Sequence, residues 1–234
     1  MSETFDRVRG IRELPLFPLP VVLFPDVPMS LHIFESRYRQ MLSDIRVGDR
    51  LFGLSYFDEQ EHEPGELPPL DHVGCVAEVS EIQALPDGRS NIVVLGLIRY
   101  RIEAYVDKGE PYLVGRPSFF EDEAEDEDAL KARTQEVVTL FMRIARSVRI
   151  INNDRSALVE LPEDEPETLS FLVAAAVEME MKERLEMLEI RSTLERLRRL
   201  RDLLARLVGG YEERARMHEI TKGNGHSGKK LDIS

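Results

Sequence analysis

Apolar positions follow two different periods along this chain, and the change from one to the other divides it. Leu14-Pro15-Leu16-Phe17-Pro18-Leu19-Pro20 runs into Val21-Val22-Leu23-Phe24-Pro25. Prolines at this density forbid a helix and restrict strands to edges or bends. Val73, Cys75, Ala77 and Val79 then alternate with Gly74, Val76, Glu78 and Ser80, a period-two pattern that slips at Ile82 and predicts a strand with a bulge. Pro86-Asp87-Gly88 supplies turn chemistry, and Asn91 to Leu97 is apolar on both faces, so a hairpin leading into a buried strand is expected. Tyr100 to Val106 and Tyr112 to Phe119 read as two further strands around the turn-like Asp107 to Pro111. In this half only Phe34 to Ile45 has helical spacing, with Phe34, Tyr38, Met41 and Leu42 on one stripe.

Beyond residue 128 the period becomes helical. Leu130, Val137, Phe141, Ile144, Ala145 and Val148 share one face. Asp164-Glu165-Pro166-Glu167 opens a second helix, and Leu169 to Val177 is apolar all round, which suits the centre of a bundle. Met181, Leu185 and Leu188 mark a third. Ser192-Thr193-Leu194-Glu195 has capping-box spacing, and Leu194, Leu197, Leu200, Leu204, Leu207 and Tyr211 continue a fourth. Between the halves, seven of the eight residues from Glu121 to Asp128 are acidic. Such a block repels itself and reads as a linker or as the lead into a helix N-terminus, where negative charge is favoured. The expected architecture is therefore α+β. It comprises a β-rich subdomain over residues 1–120, an acidic linker over 121–128, a helical bundle over 129–215 and a disordered polar tail over 216–234.

The chain has 234 residues, 42% hydrophobic and 32% charged, a balance that supports a folded core. Its formal charge of −13 repels phosphate backbones and anionic lipid, which argues against general nucleic-acid binding and a membrane surface. The opening MSETFDRVRG is polar and charged, so it is not expected to be the apolar core of a signal peptide, and the longest apolar run, Phe171 to Val177, is too short to span a bilayer. One cysteine, Cys75, excludes an internal disulfide. A cytoplasmic protein, monomeric or weakly dimeric, is expected.

Motifs that could carry chemistry mostly have simpler readings. Gly223 to Lys229 satisfies G-x-x-x-x-G-K. A phosphate loop also needs a preceding strand, a following helix and a Ser or Thr at the next position, which Lys230 occupies. His62, His72 and Cys75 lie within fourteen residues but match no zinc spacing, and Pro64, Pro68 and Pro69 indicate a surface loop around them. Glu59, Glu61, Glu63 and Glu66 read as solubilising that loop. There is no Gly-x-Ser-x-Gly elbow, and a strand cysteine among apolar neighbours is inert. His32, between Leu31 and Ile33, reads as a hydrogen-bonded structural residue. Arg191, Arg196, Arg198, Arg199, Arg201 and Arg206 raise a basic strip, but without interleaved aromatics it reads as a salt-bridged helix face. No catalysis, metal or cofactor is expected.

The run from Leu14 to Leu42, LPLFPLPVVLFPDVPMSLHIFESRYRQML, resembles the opening of the Lon N-terminal domain family. Val73 to Ala77, Leu85 to Arg89, Tyr112 to Val114, Glu167 to Ala176 and Lys182 to Leu188 resemble its later landmarks, so the likeness covers roughly residues 11–210. One departure is Ser36, where the family pattern has proline; serine is also acceptable at a helix start. The resemblance implies a PUA-like, LON-type β pseudo-barrel followed by helices, and a non-enzymatic module that binds unfolded or partly folded polypeptides. In a full Lon protease an ATPase module and a peptidase domain follow, and neither is expected within this length. A separate ATPase or protease is then a further partner. Pseudo-barrels of this kind also resemble RNA-binding folds, an alternative that the acidic total opposes. Leu31, Ile33, Phe34 and Tyr38 at the strand-to-helix junction, with Phe119 and Phe120 at the hand-over to the helices, are the candidate polypeptide-binding residues. They are expected to line a cleft between the halves.

Overall fold

The computed structural model describes residues 3–158 and 160–224. Six strands form one sheet: β1 (Leu14–Leu19), β2 (Pro28–Ile33), β3 (Leu51–Tyr56), β4 (Val73–Ala84), β5 (Ser90–Tyr105) and β6 (Leu113–Phe120). The helices are α1 (Glu3–Val8), α2 (Ser36–Ile45), α3 (Glu127–Asn152), α4 (Pro166–Ala176), α5 (Met181–Glu189) and α6 (Thr193–Asn224), with a 3-10 turn at Glu59–Glu61. The fold is α+β, a β-sheet domain followed by C-terminal helices, as the change of period implied. No helix among the described residues is long and apolar enough to cross a membrane.

The strand order is β2-β5-β4-β3-β1-β6, and β6 also pairs with β5, so five strands close on themselves and β2 hangs from β5. β1 tolerates two prolines by changing partner. Leu14–Leu16 face β6 and Leu16–Leu19 run parallel to β3, so Pro15 and Pro18 each meet a ladder on one side only. β4 and β5 form the expected hairpin, with Gly88 at φ +81° in the turn and a register shift between Val79 and Glu81, just before Ile82. The two strands expected between Asn91 and Val106 are one continuous strand. Its start pairs β2, its end pairs β6, and β4 runs beside most of it. Gly96 allows this, since a Cβ there would lie 2.0 Å from the carbonyl oxygen of Phe24.

By contacts the chain forms two compact units, residues 1–124 with 171–192, and 125–170 with 193–234. The division is not linear in sequence, because the stretch from Phe171 to Ser192 packs with the sheet. Phe171 stacks on Phe24 with centroids 5.9 Å apart. The Arg99 guanidinium, on β5, donates to the carbonyls of Leu188 (3.1 Å) and Ile190 (2.6 Å) at the end of α5, and pairs with Asp122. Arg99 and Asp122 are 1% and 4% exposed.

In the second unit α3 and α6 run parallel. Glu125 accepts from the Leu194 N–H, Arg143 pairs with Glu212 and Asn153 with Lys222, each couple 69 residues apart. A constant offset requires two helices pointing the same way. Leu197, Leu200, Leu204 and Val208 form the buried seam of α6. The acidic block is built into both units. Asp122 meets Arg99, Glu123 N–H donates to the Arg191 carbonyl, and Asp126 caps α3 by accepting from Ala129 N–H at 2.8 Å. α6 continues through Asn224, into the stretch whose composition suggested a tail, while the remainder of the G-x-x-x-x-G-K match, Gly225 to Lys229, lies outside the described residues.

Candidate polypeptide-binding surface

β2 is an edge strand whose only partner among the described residues is β5, in the register Pro28↔Leu95 through Ile33↔Ser90. Its alternation sends Met29 and Leu31 toward the core and leaves Ser30 and His32 exposed. His32 Nδ1–H donates to Asn91 Oδ1 across the strand pair at 2.7 Å, and Asn91 Nδ2–H donates to Gln83 on β4 at 3.3 Å. These polar links hold the exposed face of the edge in a fixed pleat. The chain then turns into α2. Ile33 is buried, while Phe34 is 60% exposed and stacks on the His32 ring at 5.9 Å. An exposed phenylalanine held flat against a hydrogen-bonded ring is a ready apolar platform.

α2 presents Tyr38, Met41, Leu42 and Ile45 to the core. The Tyr38 ring lies 3.9 Å from that of Phe17, with the Arg37 guanidinium 4.6 Å above it. Burial pushes the Tyr38 hydroxyl up to about 12; Glu35 and Glu59 add to the rise and Arg37 opposes it. Arg37 donates to Glu35 (2.8 Å) and Glu59 (3.1 Å), tying the helix start to the loop after β3. That loop forms one wall of a groove of about 450 Å³ lined by Pro18, Phe57, Pro64, Leu67, Pro68 and Leu113 together with Arg37 and the carboxylates of Glu59, Glu63 and Glu66. The loop reads from sequence as solvated because of its glutamates. The signal for a surface with apolar character was Leu67 and the prolines standing among them.

The six sequence candidates separate into two places. Leu31 pairs with Ile92 on β5, whereas Phe120 pairs with Arg99, seven residues on, or about 23 Å at strand rise. Leu31, Ile33, Phe34 and Tyr38 lie together at the β2–α2 junction. Phe119 is half-buried against a core cluster with Val8, Leu16 and Tyr100. Phe120 sits under the guanidinium groups of Arg99 (4.7 Å), Arg101 (5.2 Å) and Arg191 (5.8 Å). Those cations cover its face.

The remaining chemistry-bearing residues are placed as follows. His62 stacks on Phe57 at 4.1 Å and bonds the Asp58 carbonyl. Cys75 is fully buried, and burial pushes its thiol far up. Burial also lowers the pKa of His72, whose Nε2 has no hydrogen-bond partner. No three His, Cys, Asp or Glu side chains among the described residues are grouped to hold a metal. Along α6, Arg198 and Arg199 pair with Glu195, and Arg201 pairs with Asp202.

This closed sheet with its edge strand, followed by helices, has known counterparts. It matches the Lon N-terminal domain protein of Xanthomonas campestris (TM-score 0.58, 20% identity, 81% of this chain and 97% of that one). It also matches the N-terminal domain of Mycobacterium avium complex Lon protease (TM-score 0.63, 17% identity, 83% and 98%). In sequence, residues 13–206 match the family described as the ATP-dependent protease La (LON) substrate-binding domain, and the chain belongs to that family. The Lon protease of Brevibacillus choshinensis is 28% identical over 196 residues, 83% of this chain and 25% of that protein. That of Trichlorobacter lovleyi is 28% identical over 198 residues, 82% and 24%. The chain thus spans about a quarter of the length of the curated relatives it matches.

Proposed function

We propose that the protein is a substrate-recognition module that engages exposed apolar segments of unfolded or partly folded polypeptides at the β2–α2 junction. The carrying observation is Phe34, 60% exposed at the end of a strand whose second edge has no partner among the described residues. An extended client segment adds to the free edge of β2 by main-chain hydrogen bonds, and its apolar side chains settle on Phe34, with Leu31 supporting the strand from the core face. Ile33 and Tyr38 form the floor that keeps this platform in place, and the groove beside Arg37 accepts the continuing chain. Membership in a substrate-binding family supports the same reading. A bound client then passes to an ATPase or protease.

The test is capture of a permanently unfolded probe, reduced and carboxymethylated α-lactalbumin, by the full chain. Phe34→Ala should weaken binding about tenfold or more, on the scale of losing an aromatic anchor, while stability stays within about 0.5 kcal/mol, as for other exposed positions. Phe120→Ala should leave capture unchanged. Binding indifferent to Phe34→Ala would remove the junction from the site.

A further inference from the structure

The parallel helices α3 and α6 end beside one another, and the cleft there, about 580 Å³, has a character unlike the rest of the chain. Arg146, Arg149, Arg155 and Lys222 line it against two carboxylates, Asp154 and Glu219, in a protein of net charge −13. Helix C-termini favour cations, but that does not account for the state of these. The Arg149 and Ile150 carbonyls are already taken by Asn153 N–H and Asp154 N–H, with Asn153 at φ 52° closing the helix. The guanidinium groups of Arg146, Arg149 and Arg155 make no hydrogen bond or ion pair with any described residue, and Arg149 Nε is buried without an acceptor. On the same helices Arg133, Arg143, Arg198, Arg199 and Arg201 each hold a carboxylate, whereas the exposed Arg206, outside the cleft, pairs with none among the described residues.

The cleft is also preorganised. Asn153 Oδ1 receives both Lys222 Nζ and His218 Nε2, so the helix ends are fastened to each other. Asp154 is engaged by the Ser156 N–H and hydroxyl, each at 2.8 Å, which holds its carboxyl below the usual range, with Arg149 adding a smaller effect.

We propose that this cleft binds a phosphorylated small molecule. Three guanidinium groups and Lys222 lining one concavity, with only Asp154 and Glu219 to offset them, suit a ligand that packs several anionic oxygens into a small volume. A phosphoryl group does so, with nearly two charges and three acceptors, where a carboxylate offers one charge and two. Ile150, partly exposed in the wall, gives an apolar surface for the rest of the molecule. The site lies wholly within the helical unit and is independent of polypeptide capture at β2.

Titration calorimetry of the full chain with sodium pyrophosphate tests it. Saturable binding that weakens as sodium chloride is added is expected. Arg146→Glu combined with Arg155→Glu should reduce affinity about tenfold or more without moving the melting temperature, since both side chains are exposed. A charge-matched pair outside the cleft, Lys131→Glu with Arg206→Glu, should change affinity less than twofold. Citrate should bind more weakly than pyrophosphate. The proposal is overturned by absence of saturable pyrophosphate binding, by equal losses in the two variant pairs, or by citrate binding as tightly. It is also overturned by a short RNA duplex that binds more tightly and is lost in the same variant, which would make the cleft part of a nucleic-acid surface.

Discussion

Arg99 and Arg198 each hold a carboxylate, yet they do different work because one is sealed in the β-rich unit and the other stands on the surface of the helical one. Arg99 reaches Asp122 and two carbonyls at the end of α5 with 1% of its side chain exposed. Arg198 reaches Glu195 at 2.8 Å with 53% exposed. Water screens the second pair, so it contributes little to the fold. Removing either partner of the first takes the countercharge from a desolvated group, and Arg99 also ties the carbonyls of Leu188 and Ile190 to β5, so it joins the 171–192 segment to the sheet. Burial, not residue type, decides which ion pairs a fold depends on.

The strongest way to break this contrast is Arg99→Ala. It should cost about 3–5 kcal/mol in chemical denaturation, the range for an orphaned buried charge. A loss under about 1 kcal/mol would place Arg99 in the same class as surface pairs. Next in size is Ile33→Ala, expected to cost about 2–5 kcal/mol because Ile33 is core, beside the nearly neutral change expected at Phe34. Equal effects at these neighbours would erase the distinction between floor and platform.

Two smaller effects depend on pH. His72 has its pKa lowered from 6.5 by burial, and its Nε2 lacks an acceptor for a second proton. A depressed pKa means that the folded state binds the proton less readily than the unfolded chain. The stability this confers is present above pH 6.5 and is lost as pH falls through the folded value. The denaturation midpoint should therefore drop between about pH 7.5 and pH 5, and His72→Gln should flatten that slope. On the helical unit, Arg198→Ala should leave the midpoint at neutral pH within error of the parent. Hydrogen bonds from Arg198 and Arg199 hold Glu195 at about 2, so the small contribution of this exposed group is present above 4.5 and fades as pH falls toward 2. Arg198→Ala should shrink that acid limb, and a large loss at neutral pH would contradict the surface assignment.

Features written into neighbouring residues are legible in the sequence. The helical stripe of Tyr38, Met41 and Leu42 is α2, the Pro86-Asp87-Gly88 turn closes β4 onto β5, and the slip before Ile82 is a register shift. The family itself was legible in the Leu14 to Leu42 run. At the candidate surface, the spacing placed Phe34 on the same stripe as Tyr38, but not its exposure. Phe34 precedes the first turn of α2, so the helical periodicity that buries Tyr38 does not extend to it.

By itself, then, the sequence determined the order and type of elements, because period, turn residues and capping acids act over a few positions. Tertiary structure decided who partners whom. Nothing local shows that β5 serves three neighbours in succession, that α3 and α6 run parallel at an offset of 69 residues, or that Phe171 to Ser192 belongs with the sheet. Those outcomes rest on contacts between residues far apart in the chain, such as Arg99 with Ile190 and Asn153 with Lys222. Their value exists only once burial has removed water from around them. The same holds for the unpaired arginines at the end of α3. Charge counting sees a basic strip, and only the fold separates the arginines that have found a carboxylate from those left facing an open cleft.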